Sequence, residues 1–228
     1  MMSELESKNI NLLIDFDSTF IKEESIELLS SISLKNAPNR DAIINRISKI
    51  TNDAMEGNIS FSEALTDRVQ LLRANKDHIT TIINEIKNNI TASFLNNKQF
   101  FKNNYKNCYI ISGGFKEIIC PILRPFKISK NNIFANEFIF DEENNIISVN
   151  KKNPLSSDKG KVEIAKQIKG KNIIIGDGYT DYEVKKYNAA KLFIQFSGNL
   201  NRKSLNSVAD YIATDFDDII NYINNTII

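Results

Sequence analysis

Two aspartates separated by one residue, Asp15 and Asp17, stand where the apolar run NLLIDF (11 to 16) ends, in the segment DFDST. A short aliphatic run ending in acid reads as a buried strand that delivers both carboxylates beyond its C-terminal end, the edge where parallel α/β sheets place their ligands. Two carboxylates that close repel unless a cation separates them, and magnesium, which prefers hard oxygen ligands, is the natural partner. With a phosphate polarised by such a metal, one carboxylate can attack phosphorus while the other donates a proton to the leaving alcohol. The plainer alternative is that both aspartates end a strand and cap a helix.

Three further segments offer matching chemistry at other strand ends. IISGGF (110 to 115) presents the Ser112 hydroxyl and backbone donors at Gly113 and Gly114, a cradle for phosphate oxygens or a plain Gly-Gly turn. Lys159, in SSDKGK, stands just before a helical pattern and can neutralise phosphate charge, or simply be solvated. GDGYTD (176 to 181) closes another apolar run with a second acidic pair, Asp177 and Asp181. The functional reading makes Asp177 a metal ligand and Asp181 a carboxylate that orients metal-bound water and Lys159. The alternative is a turn with an Asp-Gly signature.

The elements that must position these residues are short strands alternating with helices. NLLIDF, CYIIS (108 to 112), NIIIG (172 to 176) and LFIQF (192 to 196) read as buried strands, with YIATD (211 to 215) a weaker fifth. Between them, KGKVEIAKQIKG carries Val162, Ile164, Ala165 and Ile168 at helical spacing and Gly170 as a stop. This alternation implies a parallel sheet. EFIFDEENNIISV (137 to 149) alternates around Asn144 and Asn145 and reads as a hairpin appended to that sheet.

Residues 21 to 90 contain no strand-like run and instead show four helical segments, an inserted bundle. Ile43, Ile44, Ile47, Ile50 and Ala54 follow a helical period in the second, and Ile79, Ile82, Ile83, Ile86 and Ile90 do so in the fourth. In the third, Phe61, Leu65, Arg68 and Leu72 share one face, which puts a charge on an apolar stripe.

Composition narrows the function classes. The 29 basic and 28 acidic residues nearly cancel, so no charge imbalance points to nucleic acid or a membrane surface. No stretch approaches the roughly 18 consecutive apolar residues of a membrane span, and the N-terminus lacks a signal-peptide pattern, so a cytoplasmic protein is expected. Cys108 and Cys120 lie outside any metal or redox spacing and read as reduced structural thiols. The single histidine, His78, lies in polar NKDHIT and reads as solvated, which disfavours triads built on a histidine base.

DFDST, ISGG, a lysine before a helix and GDGxTD, in that order, resemble the haloacid dehalogenase superfamily of phosphotransferases. The resemblance extends over nearly the whole chain toward its phosphoserine phosphatase family. EESIELL is similar to that family's acidic stretch, AMEGNISFSEALTDRVQLL (54 to 72) to its cap signature, NIFANEFIFDEENNI to its hairpin, and FIQFSGNLNRKSLNSVADYIATDF to its C-terminal end. The resemblance implies an α/β protein with a Rossmann-like parallel-sheet core (1 to 20 and 91 to 228), a small β-hairpin and a four-helix cap (21 to 90). It implies Asp15 as nucleophile, Asp17 as general acid and then base, and magnesium held by Asp15, Asp177 and the backbone carbonyl of Asp17. Ser112, Gly113, Gly114, Lys159 and Thr180 would contact phosphate, with Asp181 behind the metal.

In the cap, the resemblance implies that Arg68 receives a substrate carboxylate, Glu24 the ammonium, and Met55 and Phe61 wall the pocket. The bland alternatives make Arg68 a buried partner of Glu24 or another cap acid and leave Met55 and Phe61 as ordinary core. Two positions depart from the commonest family pattern: Tyr179 stands where a small residue is common, and SGN (197 to 199) replaces GGN. The implied reaction is hydrolysis of O-phosphoserine, the last step of serine biosynthesis, by a monomer or homodimer acting on a small molecule. The rivals are another small amine-bearing phosphomonoester, transfer of the phosphoryl group to an alcohol, and a non-catalytic binding protein on the same fold.

Overall fold

The computed structural model describes residues 4 to 226, so the ends of the expected core range, 1 to 3 and 227 to 228, lie outside it. The chain opens with α1 (Glu4–Ser7) and enters β1 (Ile10–Ile14). After the tight turn Phe16–Phe20 come four helices, α2 (Ser25–Ser33), α3 (Arg40–Met55), α4 (Phe61–Leu71) and α5 (Lys76–Ile86). The short α6 (Ala92–Asn96) and α7 (Lys98–Asn103) lead back to β2 (Cys108–Phe115), followed by α8 (Lys116–Leu123) and β3 (Ile133–Asn136). A hairpin, β4 (Phe138–Phe140) and β5 (Ile146–Val149), precedes α9 (Gly160–Gln167). The remainder is β6 (Lys171–Gly176), α10 (Tyr179–Lys186), β7 (Leu192–Phe196), β8 (Tyr211–Ala213) and α11 (Phe216–Thr226).

Six strands form one parallel sheet in the order β3-β2-β1-β6-β7-β8. Successive residues of the central strands point to opposite faces, and both faces are covered by helices. Leu12, Ile14, Ile173 and Ile175 enter one apolar cluster while Leu13 and Ile174 enter the other, which explains why these strands read as unbroken apolar runs. The chain grows outward from β1 in one direction and resumes at β6 on its other side. Asp15 after β1 and Asp177 after β6 therefore flank the point where the strand order reverses, the place where such sheets open a crevice.

Two expectations need correction. The segment IFAN, grouped with the hairpin by the resemblance although it precedes the 137 to 149 range, is a separate parallel strand, β3, paired with β2 through Ile110 and Ile133. No turn residue separates it from the hairpin, so its boundary left no mark. The hairpin is not appended to the main sheet either: β4 and β5 form their own two-stranded sheet. Its edge docks on the helical insert, where Ile146 N donates to Ala74 O at 2.8 Å and Asn75 bridges Asn145. Asn144 supplies the left-handed residue of the turn, at φ 66°.

The helices of the insert bury their apolar faces against one another and the core. α5 uses Ile79, Ile82 and Ile86. His78, on the same helix, accepts from Asn75 N and completes a capping box. α3 differs from its predicted stripe: Ile43, Ile44 and Ile50 are only partly buried, and Ile47, Thr51, Ala54 and Met55 form the inward face. That rotation turns a hydroxyl, Thr51, toward α4.

Where the chain leaves and re-enters the core, Ile21 and Ile90 form an antiparallel bridge. Thr91 N donates to Phe20 O at 3.0 Å, and Thr91 Oγ1 donates to Thr19 O at 2.7 Å. Asn199, from the loop after β7, places its Nδ2 against the carbonyls of Ser18, Thr19 and Ile21 and against Thr91 Oγ1. One side chain from the C-terminal half thus touches both connections to the insert. Beneath them Phe20 packs against Phe94, Phe101 and Phe126, which anchors the connections in the core.

Candidate active site

Asp15 sits one residue beyond β1, and its N donates to Ile175 O, extending the sheet to the rim of the crevice. Its Oδ1 accepts from Phe16 N at 2.7 Å and lies 2.9 Å from Lys161 Nζ. Both side chains are buried, so loss of either partner would leave an uncompensated charge in the interior. Ser18, at φ 54°, tightens the following turn and brings Asp17 back toward Asp15. Asp17 Oδ1 accepts from Ser25 N at the start of α2. A β-carbon on Gly114 would lie 2.8 Å from Asp17 Oδ2, so a larger residue there would collide with this carboxyl group.

Asp177 and Asp181 approach from β6 and α10. Asp15, Asp177 and Asp181 each present an oxygen within 4.8 Å of the others, and all three are buried. Asp181 Oδ1 accepts from Lys161 Nζ at 2.8 Å and its Oδ2 accepts from Gly178 N at 3.1 Å. With both oxygens engaged, Asp181 fixes the lysine and the 176 to 181 loop. Gly176 admits it, because a β-carbon there would lie 2.2 Å from the Asp181 carboxyl.

The lysine of this cluster is Lys161, which corrects the expectation for Lys159. Lys159 takes a left-handed conformation, φ 60°, at the cap position of α9, and its side chain turns outward. Its Nζ stands over the Tyr187 ring, 4.5 Å from the centroid, at the exposed rim of a neighbouring cavity. Lys161 lies within the helix and shares its inward face with the buried Ile164 and Ala165, at offsets of three and four. That stripe was present in the sequence and separates the two lysines.

Enclosure and crowding shape the acids. Burial, then Glu24 and Asp15, raise Asp17 to about 8. Burial and Asp15 raise Asp181 to about 7, against the opposing pull of Lys161. Asp177 is raised well above the usual carboxylate range by burial and by Glu24, Asp15 and Asp181, with Arg202 acting the other way. Burial disfavours the Lys161 charge, but Asp15 and Asp181 outweigh it and raise its pKa. Acids that repel in this way form a set of hard oxygen donors suited to a divalent cation.

Beside the acids, β2 ends in a bulged stretch where Ser112 Oγ accepts from Gly114 N at 2.9 Å. Thr180 Oγ1 is buried and has no hydrogen-bond partner among the described residues, an orphaned hydroxyl beside Gly113 and Lys161. Gly113 is required for a different reason than a turn. A β-carbon on it would lie 2.6 Å from Phe61 Cζ, so the ring of the insert rests directly on the core backbone.

One pocket is lined by Asp15, Asp17, Glu24, Met55, Phe61, Leu65, Arg68, Ser112, Gly113, Gly114 and Lys161, so the helical insert roofs the acidic cluster. Glu24 Oε1 accepts from Ser18 Oγ at 2.8 Å. Arg68 is 3% exposed, donating Nε to Ala64 O and Nη1 to Thr51 Oγ1. No carboxylate lies within 4.0 Å of it among the described residues, so the buried ion pair with Glu24 is not formed. Burial lowers its pKa while Glu24, Asp17 and Glu27 pull the other way.

Sequence reasoning missed Arg202 altogether. It is 4% exposed; Nε donates to Asp177 Oδ2 at 3.0 Å, and Nη1 donates to Asn52 Oδ1 at 3.2 Å on α3. It therefore ties the Asp177 carboxylate to the insert. Nothing in NLNRKS distinguishes it from a solvated loop arginine, because its partners are 25 and 150 residues away.

No family model matches the chain. Among curated proteins, phosphoserine phosphatase of Drosophila melanogaster is 30% identical over 212 residues, covering 90% of this chain and 75% of that one. The Homo sapiens phosphoserine phosphatase is 29% identical over 211 residues, covering 90% and 89%. Among solved structures, a phosphoserine phosphohydrolase-like protein from Francisella tularensis superposes with a TM-score of 0.84 at 31% identity, covering 93% of this chain and 99% of that one. A phospho-aspartyl intermediate analogue of a phosphoserine phosphatase shares the fold, with a TM-score of 0.76 at 23% identity over 94% and 98% of the two chains. Likeness at this level, over nine tenths of the chain, shows that the chain belongs to the phosphoserine phosphatase family.

Proposed function

We propose that the chain hydrolyses O-phosphoserine to serine and phosphate through an aspartyl-phosphate on Asp15. The observation that carries the substrate is Arg68: a buried guanidinium without a carboxylate partner, lining the same pocket as Asp15, Asp17 and Glu24. An uncompensated buried cation is costly, and a substrate carboxylate is the group that would match its fork. Glu24, across that pocket, suits the ammonium.

The donor set of Asp15, Asp177 and Asp181 fits a hard divalent cation, and the liganding groups would be the Asp15 and Asp177 carboxylates with the Asp17 carbonyl. Magnesium bound there supplies neutralisation of phosphate charge. An Asp15 carboxylate oxygen attacks phosphorus while the bond from phosphorus to the serine oxygen breaks. Asp17, held protonated toward neutral pH, gives its proton to that oxygen. Water then attacks phosphorus, Asp17 takes its proton, and the bond to Asp15 breaks to release phosphate. Lys161, Ser112, the Gly113 and Gly114 backbone and Thr180 surround the phosphoryl group and stabilise its charge.

Phosphate release from a panel of small phosphomonoesters, with and without magnesium, tests this reading. Phosphoserine should be preferred and turnover should require the metal. Arg68→Ala should damage phosphoserine turnover and largely spare an aryl phosphate; equal loss on both would sink carboxylate recognition. Asp15→Asn retaining near wild-type turnover would remove the nucleophile assignment.

A further inference from the structure

Tyr179 follows Asp177 and Gly178 in the loop after β6, yet it does not line the pocket that holds Asp15 and Arg68. Its ring faces the insert. A β-carbon on Gly57 would lie 2.9 Å from Tyr179 Cγ and 3.0 Å from both Cδ atoms, so the turn after α3 rests on the base of the ring. Gly57 itself is at φ +78°, a conformation that glycine adopts without strain and that lets the turn lie flat against an aromatic face.

Two residues earlier, Met55 makes the neighbouring contact. A β-carbon on Gly178 would lie 2.8 Å from Met55 Sδ. The pair Met55 and Gly57 therefore seats on the pair Gly178 and Tyr179, turn against loop. Met55 also lines the substrate pocket, so whatever sets the depth of this seat sets the position of one pocket wall. The ring is braced from its own side: Lys186 Nζ donates to Tyr179 Oη at 3.0 Å, and Tyr182 packs edge-on at a centroid distance of 5.9 Å. A braced ring beneath a glycine gives a hard stop, because packed aromatic and backbone atoms do not compress.

We propose that Tyr179 is a positioning residue for substrate selection: a fixed platform on which the 55 to 58 turn lands, so that closure of the helical insert stops with Met55 against the substrate. This rests on the phosphoserine reading for its kinetic consequence only. The seat itself is a statement about closure. A small residue at 179 removes the stop, leaves the turn unsupported and lets the Met55 wall withdraw, which favours substrates one methyl larger.

The test uses the full chain as Tyr179→Ala and Tyr179→Phe beside wild type. Hydrogen exchange, followed without substrate, should rise about tenfold at the amides of residues 55 to 60 in Tyr179→Ala, equivalent to roughly 1.4 kcal/mol of lost closure. Tyr179→Phe, which keeps the platform and loses only the Lys186 bond, should keep that protection. In turnover, Tyr179→Ala should raise KM for phosphoserine more than it lowers kcat, and the preference for phosphoserine over phosphothreonine should shrink by roughly threefold or more. Unchanged exchange at 55 to 60 overturns the proposal. So does a rise that is equal across α10 and β6, which would make the ring ordinary packing for its own helix. If Tyr179→Ala does not fold, Tyr179→Leu, which keeps apolar bulk without a flat ring, should show the same local rise, and wild-type protection in it overturns the proposal. An inactive wild type with the exchange difference intact would instead count against the phosphoserine reading alone.

Discussion

Lys161 Nζ stands 2.9 Å from Asp15 Oδ1 and 2.8 Å from Asp181 Oδ1, so one buried ammonium holds the first and last acids of the cluster together. Lys159, two residues away, holds neither. Lys161→Ala should lower kcat by about 10²-fold or more, the scale of losing a preorganised charge beside a reacting group. Lys159→Ala should leave kcat within about twofold, as expected of an exposed rim charge. Phosphate release by the two variants under identical conditions distinguishes them, and the reverse ranking would overturn the assignment.

The raised acids make stability depend on pH with a definite sign. Asp17 at about 8 and Asp181 at about 7 in the folded protein stand above the unfolded value of about 3.9. Between those limits the folded state holds protons that the unfolded state has released. Their stabilising contribution is complete below about pH 4 and is lost as pH rises through 7 to 8. With chelator present, Tm should fall between about pH 5.5 and 8.5, and Asp17→Asn should flatten the fall. Magnesium should raise Tm more at the higher pH, because cation binding competes with protons for the same oxygens.

Arg202 compensates Asp177 within the protein and reaches α3 with its other edge. Arg202→Met removes one partner of a buried pair and should lower unfolding free energy by about 3 kcal/mol, read by denaturant titration. Saturating magnesium should recover part of that loss, since a cation replaces the missing charge. A variant as stable as wild type without metal would show that the pair contributes nothing.

Asn199 touches both connections between core and insert through one amide group. Asn199→Ala should cost about 1 to 2 kcal/mol of stability by leaving buried acceptors without their donor. Hydrogen exchange should rise at residues 19 to 22 and 89 to 92 before it rises in β1. Uniform exchange over the sheet would contradict a role confined to the connections.

Much of this was legible in the chain itself, because strands buried on both faces, such as LLI in β1 and III in β6, must be apolar throughout, and the acids stand at their ends. The helical periods of the insert were visible for the same reason, although α3 turned Thr51 inward in place of Ile50, a rotation set by its partner α4. β3 was invisible because its four residues merge with the hairpin and its pairing partner is β2, not its neighbour in sequence. The hairpin docks on the insert because Ala74 and Asn75 present a free edge there, which no local pattern encodes.

The carboxylates were local features of the chain: Asp15 and Asp177 directly follow the apolar runs of β1 and β6, Asp17 lies in the turn after β1, and Asp181 falls four residues after Asp177 in the first turn of α10. Which cations answer them depends on contacts made across the fold. Lys161 rather than Lys159 reaches Asp15 because a left-handed residue at the start of α9 turns one side chain out and the helix turns the other in. Arg202 reaches Asp177, and Tyr179 reaches Gly57, across separations that no spacing rule spans. Charge pairing and close packing depend on distance in space, and the fold alone sets that distance.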